Sequence, residues 1–200
     1  EVAFGDNYIA VSGIASWEPS GYRYDNCKVA IFDKQGNYLN TLTPRQMISQ
    51  GTEFGCKMIW HGDILFIGAP RDNTFHEINY DEILNGRGAI YIYDYGRSPN
   101  PMGDEIILRP GRKSHRPYIG YNYNSSDNDL FGESFAVNDG YLYVTQSFTY
   151  ERFVYVFKLS DILGHKGRLF AENFATIPVK ERGATGINSD FINSSYERAP

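Results

Sequence analysis

Four histidines and a group of loop carboxylates are the residues most able to do chemistry in this chain. The histidines show no metal-ligand spacing, no Gly-X-Ser-X-Gly elbow accompanies them, and they are interpreted as surface residues: His61, His76, His115 and His165. Two carboxylates flanking a sugar would make a glycosidase pair, and four are available in predicted loops: Glu18, Glu77, Asp81 and Glu82. Carboxylates in solvated loops are ordinary, so we predict no catalytic residue and no enzyme.

Two acidic stretches remain as metal candidates, residues 72–73 and 127–129. Both consist of Asp and Asn, which form turns by hydrogen-bonding to the nearby backbone without any metal. We therefore predict no metal site and no cofactor.

Composition excludes several classes of partner. The net charge of −5 gives no basic footprint for nucleic acid, and no apolar run approaches the ~20 residues that span a bilayer. The two cysteines, Cys27 and Cys56, fit no disulfide framework, which leaves their redox state open. The chain starts at Glu1 without a Met or a signal peptide, so we expect it to be processed, cut or partly observed.

Short apolar strands recur in the same order three times. In the middle unit the pair Phe54-Gly55 precedes two runs joined by a tight turn, and a long polar loop leads to a third run. The second strands align at 6–13, 63–68 and 139–144, the third strands at 29–33, 90–94 and 154–158, and fourth stretches at 39–44, 106–110 and 174–178. Phe131-Gly132 repeats the opening pair, whereas Phe4-Gly5 falls at the first hairpin turn of its own unit.

This pattern predicts an all-β chain of four-stranded antiparallel sheets, about three β-propeller blades that form part of a larger ring. A β-sandwich is the competing interpretation, but it has no reason to repeat its strand order. Alternate side chains of each strand should face opposite neighbours: Ile64, Phe66 and Gly68 against Leu65, Ile67 and Ala69. Residues 161–169 are expected to hold at most a turn of helix.

The predicted division follows the repeats. Residues 1–53 form blade one with a truncated first strand, and 54–110 form blade two. Residues 111–178 form a long connection plus blade three, and 179–200 a linker and the start of a further blade, whose first residues are expected at 190–194.

The order Phe-Gly, hairpin, Gly68-Ala69-Pro70 and an alternating Tyr91-Ile92-Tyr93 strand resembles the FG-GAP propeller repeats of integrin α chains. It is also similar to degenerate repeats of this type in structural and tail proteins of marine bacteriophages, where a Tyr-Ile-Phe-Asp strand precedes Gly-Asn; residues 31–37 show that feature here. Unit three departs from the pattern, with Thr145-Gln146-Ser147 where Gly-Ala-Pro would stand. The resemblance implies a virion or extracellular protein.

Integrin repeats often bind calcium in an acidic first hairpin loop. The corresponding turns of this chain are a few residues long and contain one Asp each, at Asp6, Asp63 and Asp139. They cannot supply the six to eight oxygens that Ca²⁺ takes. The calcium site of the family is therefore not expected here.

Loop lengths indicate where a partner would bind. The connections at 14–27, 70–87 and 146–152, and those between units at 43–53 and 110–130, should all open on one rim, which we name the long-loop face. Its aromatic and small polar residues are typical of contact surfaces, and the binding candidates are Trp17, Tyr22, Arg23, Tyr24, His76, Tyr80, Tyr121, Tyr123, Phe148 and Tyr150. The alternative is that these aromatics pack as lids over the blade ends.

About three blades cannot close a ring, because propellers have about four to eight. Either the chain is a segment of a longer polypeptide, which its ends favour, or copies complete one another as a homo-oligomer. The sequence thus predicts a non-enzymatic propeller segment of a larger virion protein, tail or capsid-associated, that binds other subunits or a host-surface protein or glycan. A cellular or secreted adhesin is the alternative, and a glycosidase the third.

Overall fold

The computed structural model describes residues 1–13, 28–44, 52–72, 88–109, 130–147, 151–170 and 179–182. Within these ranges nearly all regular structure is β-strand, which confirms the all-β class. The elements are β1 Val2–Phe4, β2 Tyr8–Gly13, β3 Lys28–Asp33, β4 Tyr38–Leu42, β5 Met58–His61, β6 Ile64–Ala69, β7 Ala89–Asp94, β8 Ile106–Arg109, β9 Phe135–Asn138, β10 Tyr141–Ser147, β11 Glu151–Lys158, α1 Leu159–Ile162, β12 Gly167–Phe170 and β13 Val179–Arg182.

The strands form three sheets in chain order. Sheet 1 runs β1-β2-β3-β4, sheet 2 runs β5-β6-β7-β8 with β12 beyond β8, and sheet 3 runs β9-β10-β11 with β13 beyond β11. Each of these neighbours is antiparallel except β12, which pairs in parallel with β8. The three predicted units therefore correspond to three sheets.

Tight hairpins join the first two strands of each sheet. Asp139 and Gly140 both have positive φ, at 47° and 78°, as a type I′ turn requires, and Gly62 with φ 57° opens the turn of sheet 2. In sheet 1, Phe4 ends β1 and Gly5 N donates to Tyr8 O at 2.9 Å across the turn. Phe4-Gly5 is thus a hairpin turn, as its register predicted.

The middle sheet is covered on both faces. Leu65, Ile67 and Ala69 of β6 pack in a core cluster with sheet 1, whereas Phe66 packs in a second cluster with sheet 3. This confirms the predicted alternation, and it explains why these strands read as continuous apolar runs. The first strands also lie side by side, β1 next to β5 and β5 next to β9.

The Phe-Gly pairs of sheets 2 and 3 pack against the preceding sheet. Phe54 and Phe131 are 1% and 0% exposed, and the glycines that follow have φ of 87° and 88°. A Cβ on Gly132 would lie 2.6 Å from the Ala89 carbonyl oxygen of sheet 2. Only glycine fits, because the backbone approaches the neighbouring sheet directly and adopts a conformation that L side chains avoid.

An aspartate at the end of β3, Asp33, stabilises the turn into β4. Asp33 Oδ1 accepts from the backbone N of Gln35 at 2.9 Å and of Asn37 at 2.8 Å, which closes the turn into β4. Asn37 Nδ2 also donates to Asp33 Oδ2 at 2.8 Å, and this hydrogen bond, together with the backbone bonds, lowers the pKa of the exposed Asp33 carboxyl. The register of sheet 3 puts Lys158 at this position, and there the chain turns into α1 instead.

Two expectations for the C-terminal part were wrong in detail. The helical turn is Leu159–Ile162, and the end of the 161–169 segment lies in β12, where the backbone pairs in parallel with β8 of sheet 2. The fourth strand of sheet 3 is Val179–Arg182, so these residues belong to that sheet and not to a linker. The stretch predicted for that strand, 174–178, lies outside the described residues.

Candidate functional site: the base of the long-loop face

The ends of the long loops gather at one rim of the three sheets. The β2–β3 ladder ends at the pair Gly13 and Lys28, from which the 14–27 connection leaves. The β10–β11 ladder continues to Ser147 and Arg152, so the third loop is the short one, as expected. All ten predicted binding residues, from Trp17 to Tyr150, and the 127–129 stretch lie outside the described residues.

A buried ion pair holds the base of this rim. Arg109 Nη2 donates to Asp72 Oδ2 at 3.0 Å, and Tyr91 OH donates to the same oxygen at 2.5 Å. Asp72 is 0% and Arg109 5% exposed. A buried charge is costly unless it is paired and hydrogen-bonded, and this aspartate meets both conditions. Asp72, predicted as a turn former with a possible metal role, is therefore the acceptor of an internal ion pair.

The pair fixes the points from which two long loops leave. Gly88 N donates to Asp72 O at 3.2 Å, which brings the two ends of the 73–87 loop together. Arg109 ends β8, so the 110–129 connection starts beside them. Gly88 also bridges to Phe131, where that connection returns. The sheets thus bring the ends of two connections, 73–87 and 110–129, to one place.

Two contacts of Arg71 hold the end of the 43–53 connection at the same rim. Arg71 N donates to Thr52 O at 3.3 Å, and Arg71 Nε lies 3.1 Å from Glu53 Oε1. That ion pair is exposed, so its net stabilisation is at most about 1 kcal/mol. The backbone bond is the stronger reason that the loops share one base.

The opposite rim carries an aromatic cluster between sheets 1 and 2. Tyr8 stacks on Trp60 with ring centroids 5.4 Å apart, and Tyr95 lies 5.0 Å from Tyr8 and 5.6 Å from Trp60. Tyr95 OH donates to Asn40 Oδ1 at 2.8 Å. Burial of the phenol raises the pKa of Tyr95 well above its ordinary value near 10.

Tyr95→Phe is expected to weaken the dependence of stability on alkaline pH. Since folding raises the pKa of this phenol, its contribution is complete below about pH 10 and is lost as the pH rises further. At neutral pH the variant should lose about 0.5–1.5 kcal/mol with the Asn40 hydrogen bond. Urea unfolding at pH 8 and pH 11 measures both effects. The matched control Tyr38→Phe removes a phenol that is 59% exposed and should keep the wild-type pH dependence; an equal change in both variants would contradict the assignment.

The described residues carry few other groups for chemistry. None of their His, Cys, Asp and Glu side chains form a group of three or more that could hold a metal ion. His61 and His165 are exposed, and so is Cys56, whose Sγ lies 3.8 Å from the Gly68 carbonyl oxygen. Among the described helices, none has the length and hydropathy to cross a membrane.

Comparison of the chain with protein-family profiles, with curated proteins and with solved structures found no match. A functional assignment therefore depends on the packing of the sheets and the position of the loops in this chain.

Proposed function

We propose that this chain supplies consecutive blades of an FG-GAP-type β-propeller that acts in recognition and assembly and not in catalysis. The concrete setting is a virion, as a tail or capsid-associated component. The observation that carries the proposal is that each sheet packs face to face on the next, with the first strands side by side and the ends of the long loops at one rim.

The repeated packing supports a propeller over a sandwich. In a two-sheet sandwich each sheet has one face in the core, whereas sheet 2 has both faces buried by sheets of the same strand order. The same backbone bond also recurs at the start of each sheet: Gly68 N to Lys57 O, Thr145 N to Ser134 O and Ser12 N to Glu1 O, at 2.8, 2.9 and 2.9 Å. Such repetition is what radial blades require.

The rigid base of the long-loop face supports recognition. Binding loops are effective when a scaffold fixes their ends, and the buried Asp72–Arg109 pair does so for two of them. The loop sequences contain the Tyr, Trp, Ser, Gly and Asn residues that contact surfaces favour. A glycan or a protein surface is the class of ligand that such residues take.

Replacing Trp17, Tyr22 and Tyr24 together by alanine is expected to abolish binding to a glycan array or to purified virion subunits. Aromatic anchors of this kind each contribute about 2 kcal/mol or more to binding, so the affinity should fall by at least about 100-fold. The matched control is Met102→Ala, which removes a side chain that is 47% exposed in the loop between β7 and β8, at the opposite rim. The control should bind like the wild type.

Two results would separate the candidate settings. Recovery of the chain at fixed stoichiometry in purified virions supports a virion component. Glycan or cell-surface binding without such recovery supports an adhesin instead. If the triple alanine variant binds every ligand as the wild type does, the long-loop face is not the recognition surface.

A further inference from the structure

Two sheet faces point away from the three-sheet stack and expose apolar side chains. Ala3 packs toward sheet 2, so its neighbours in β1 point outward, and Val2 is 48% and Phe4 75% exposed. Leu142 packs toward sheet 2, so Tyr141 and Tyr143 point outward from sheet 3, at 37% and 36% exposed. We name these surfaces the outer face of sheet 1 and the outer face of sheet 3.

The outer face of sheet 1 matches faces that are covered elsewhere in the chain. By strand register, Val2 holds the position of Met58 in sheet 2 and of Phe135 in sheet 3. Met58 is 5% and Phe135 3% exposed, because the preceding sheet lies on them. The same register puts Ile9, which is half-buried, where Leu65 and Leu142 are fully buried. Most other residues of this face are apolar or hydroxylic: Phe4, Val11, Ala30, Phe32, Tyr38 and Thr41. The charged Lys28 lies at its end near the long-loop face.

The outer face of sheet 3 corresponds to the faces of sheets 1 and 2 that are each covered by the next sheet. Tyr143 holds the position of Ala10 in sheet 1 and of Phe66 in sheet 2, both 0% exposed beneath the next sheet. Tyr141 holds the position of Tyr8, which stacks on Trp60 of the next sheet. Trp60 in turn holds the position of Phe4.

We propose that the outer face of sheet 3 binds the outer face of sheet 1 of a second copy of this chain, with Tyr141 against Phe4. The contact reproduces the Tyr8–Trp60 stacking that joins sheets 1 and 2. Each copy presents both faces, so two copies form two such contacts about a two-fold axis, and the assembly closes.

The number of sheets favours two copies. The inference rests on the proposed propeller, whose rings contain about four to eight blades. Each chain brings three described sheets, and six is the multiple of three within that range. Closure also removes both exposed apolar faces at once, which a single added partner on one face would not do.

Light scattering of the full chain in solution tests the closed pair. At 50 μM the wild type should show twice the 22.8 kDa of one chain. Phe4→Asp places a charge in both contacts and should weaken the pair by at least about 100-fold while leaving circular dichroism unchanged, since Phe4 lies outside the core. Met102→Asp, at a side chain that is 47% exposed and lies away from both faces, should remain paired.

Cysteine cross-linking tests the direction of the contact. In a Cys27→Ser, Cys56→Ser background, chains carrying Phe4→Cys and chains carrying Tyr141→Cys are given different tags and mixed under oxidation. The expected product joins Phe4→Cys to Tyr141→Cys. A product formed mainly between two Phe4→Cys chains would mean face-to-face pairing of identical surfaces and would overturn the proposal.

The remaining outcomes also decide the question. A monomeric wild type, open aggregates of rising mass, or a natural polypeptide whose intact mass includes further repeats each contradict closure by a second copy. Binding at the long-loop face is measured separately. A monomer that still loses its ligand on Trp17, Tyr22 and Tyr24 replacement overturns this inference and leaves the recognition function standing.

Discussion

Arg109→Met is expected to lower the free energy of unfolding by about 3–5 kcal/mol. The substitution leaves Asp72, which is fully buried, without its cation. Tyr91 still donates to Asp72 Oδ2, but a neutral hydrogen bond stabilises a buried carboxylate less than the guanidinium does. Urea unfolding followed by circular dichroism measures the change.

The double variant Asp72→Asn, Arg109→Met is the matched control. Asparagine keeps an acceptor for the Tyr91 hydroxyl and removes the charge, so the double variant should recover most of the stability that Arg109→Met loses. Arg97→Met breaks an exposed ion pair with Asp94 and should cost at most about 1 kcal/mol. If Arg109→Met and Arg97→Met are equally stable, the buried pair does not hold the base of the loops.

Gly132→Ala is expected to cost about 2–5 kcal/mol of unfolding free energy. Of this, about 1–2 kcal/mol comes from placing an L residue at φ 88°, and about 1–3 kcal/mol from pushing a methyl group against the Ala89 carbonyl oxygen, 2.6 Å away. The backbone on which it presses belongs to sheet 2, so it cannot rotate aside as a side chain would.

Gly36→Ala separates the two contributions. Gly36 has nearly the same φ, 85°, with no atom within 4 Å of an added Cβ, so this variant should lose only the conformational part, about 1–2 kcal/mol. The difference between the two variants, measured by thermal or urea unfolding, is the free energy of crowding at the junction of sheets 2 and 3. Equal losses would show that the close approach relaxes at no cost.

Local patterns in the sequence predict most of this fold. Alternation along β6 assigns Leu65 and Phe66 to opposite neighbours, and the structure confirms it. The position of Phe4-Gly5 at the first hairpin turn is also predicted from the sequence, because Gly5 begins a Gly-Asp-Asn turn. These features depend on strand period and turn chemistry, which a few adjacent residues determine.

Features that depend on distant pairing were not predicted. Asp72 and Arg109 are 37 residues apart, and the registers of β6, β7 and β8 bring them together beside Tyr91. The sequence signal for this ion pair was a charged residue, Arg109, directly after the apolar run 106–108. Lys158 stands at the register position that Asp33 holds in sheet 1, and the chain leaves the repeat there. This substitution of residue type does not indicate that β12 would join sheet 2. The ten candidate residues of the long-loop face stay a prediction.

The strand β12 couples sheets 2 and 3 mechanically. After β11 the chain crosses to pair with β8 of sheet 2 before returning through β13 to the edge of sheet 3. The backbone hydrogen bonds between β12 and β8 therefore resist the separation of sheet 3 from sheet 2 under tension. Among the described residues sheet 1 has no such strand and contacts sheet 2 through packing and side-chain hydrogen bonds, such as Asn7 to Asp63 and Tyr95 to Asn40.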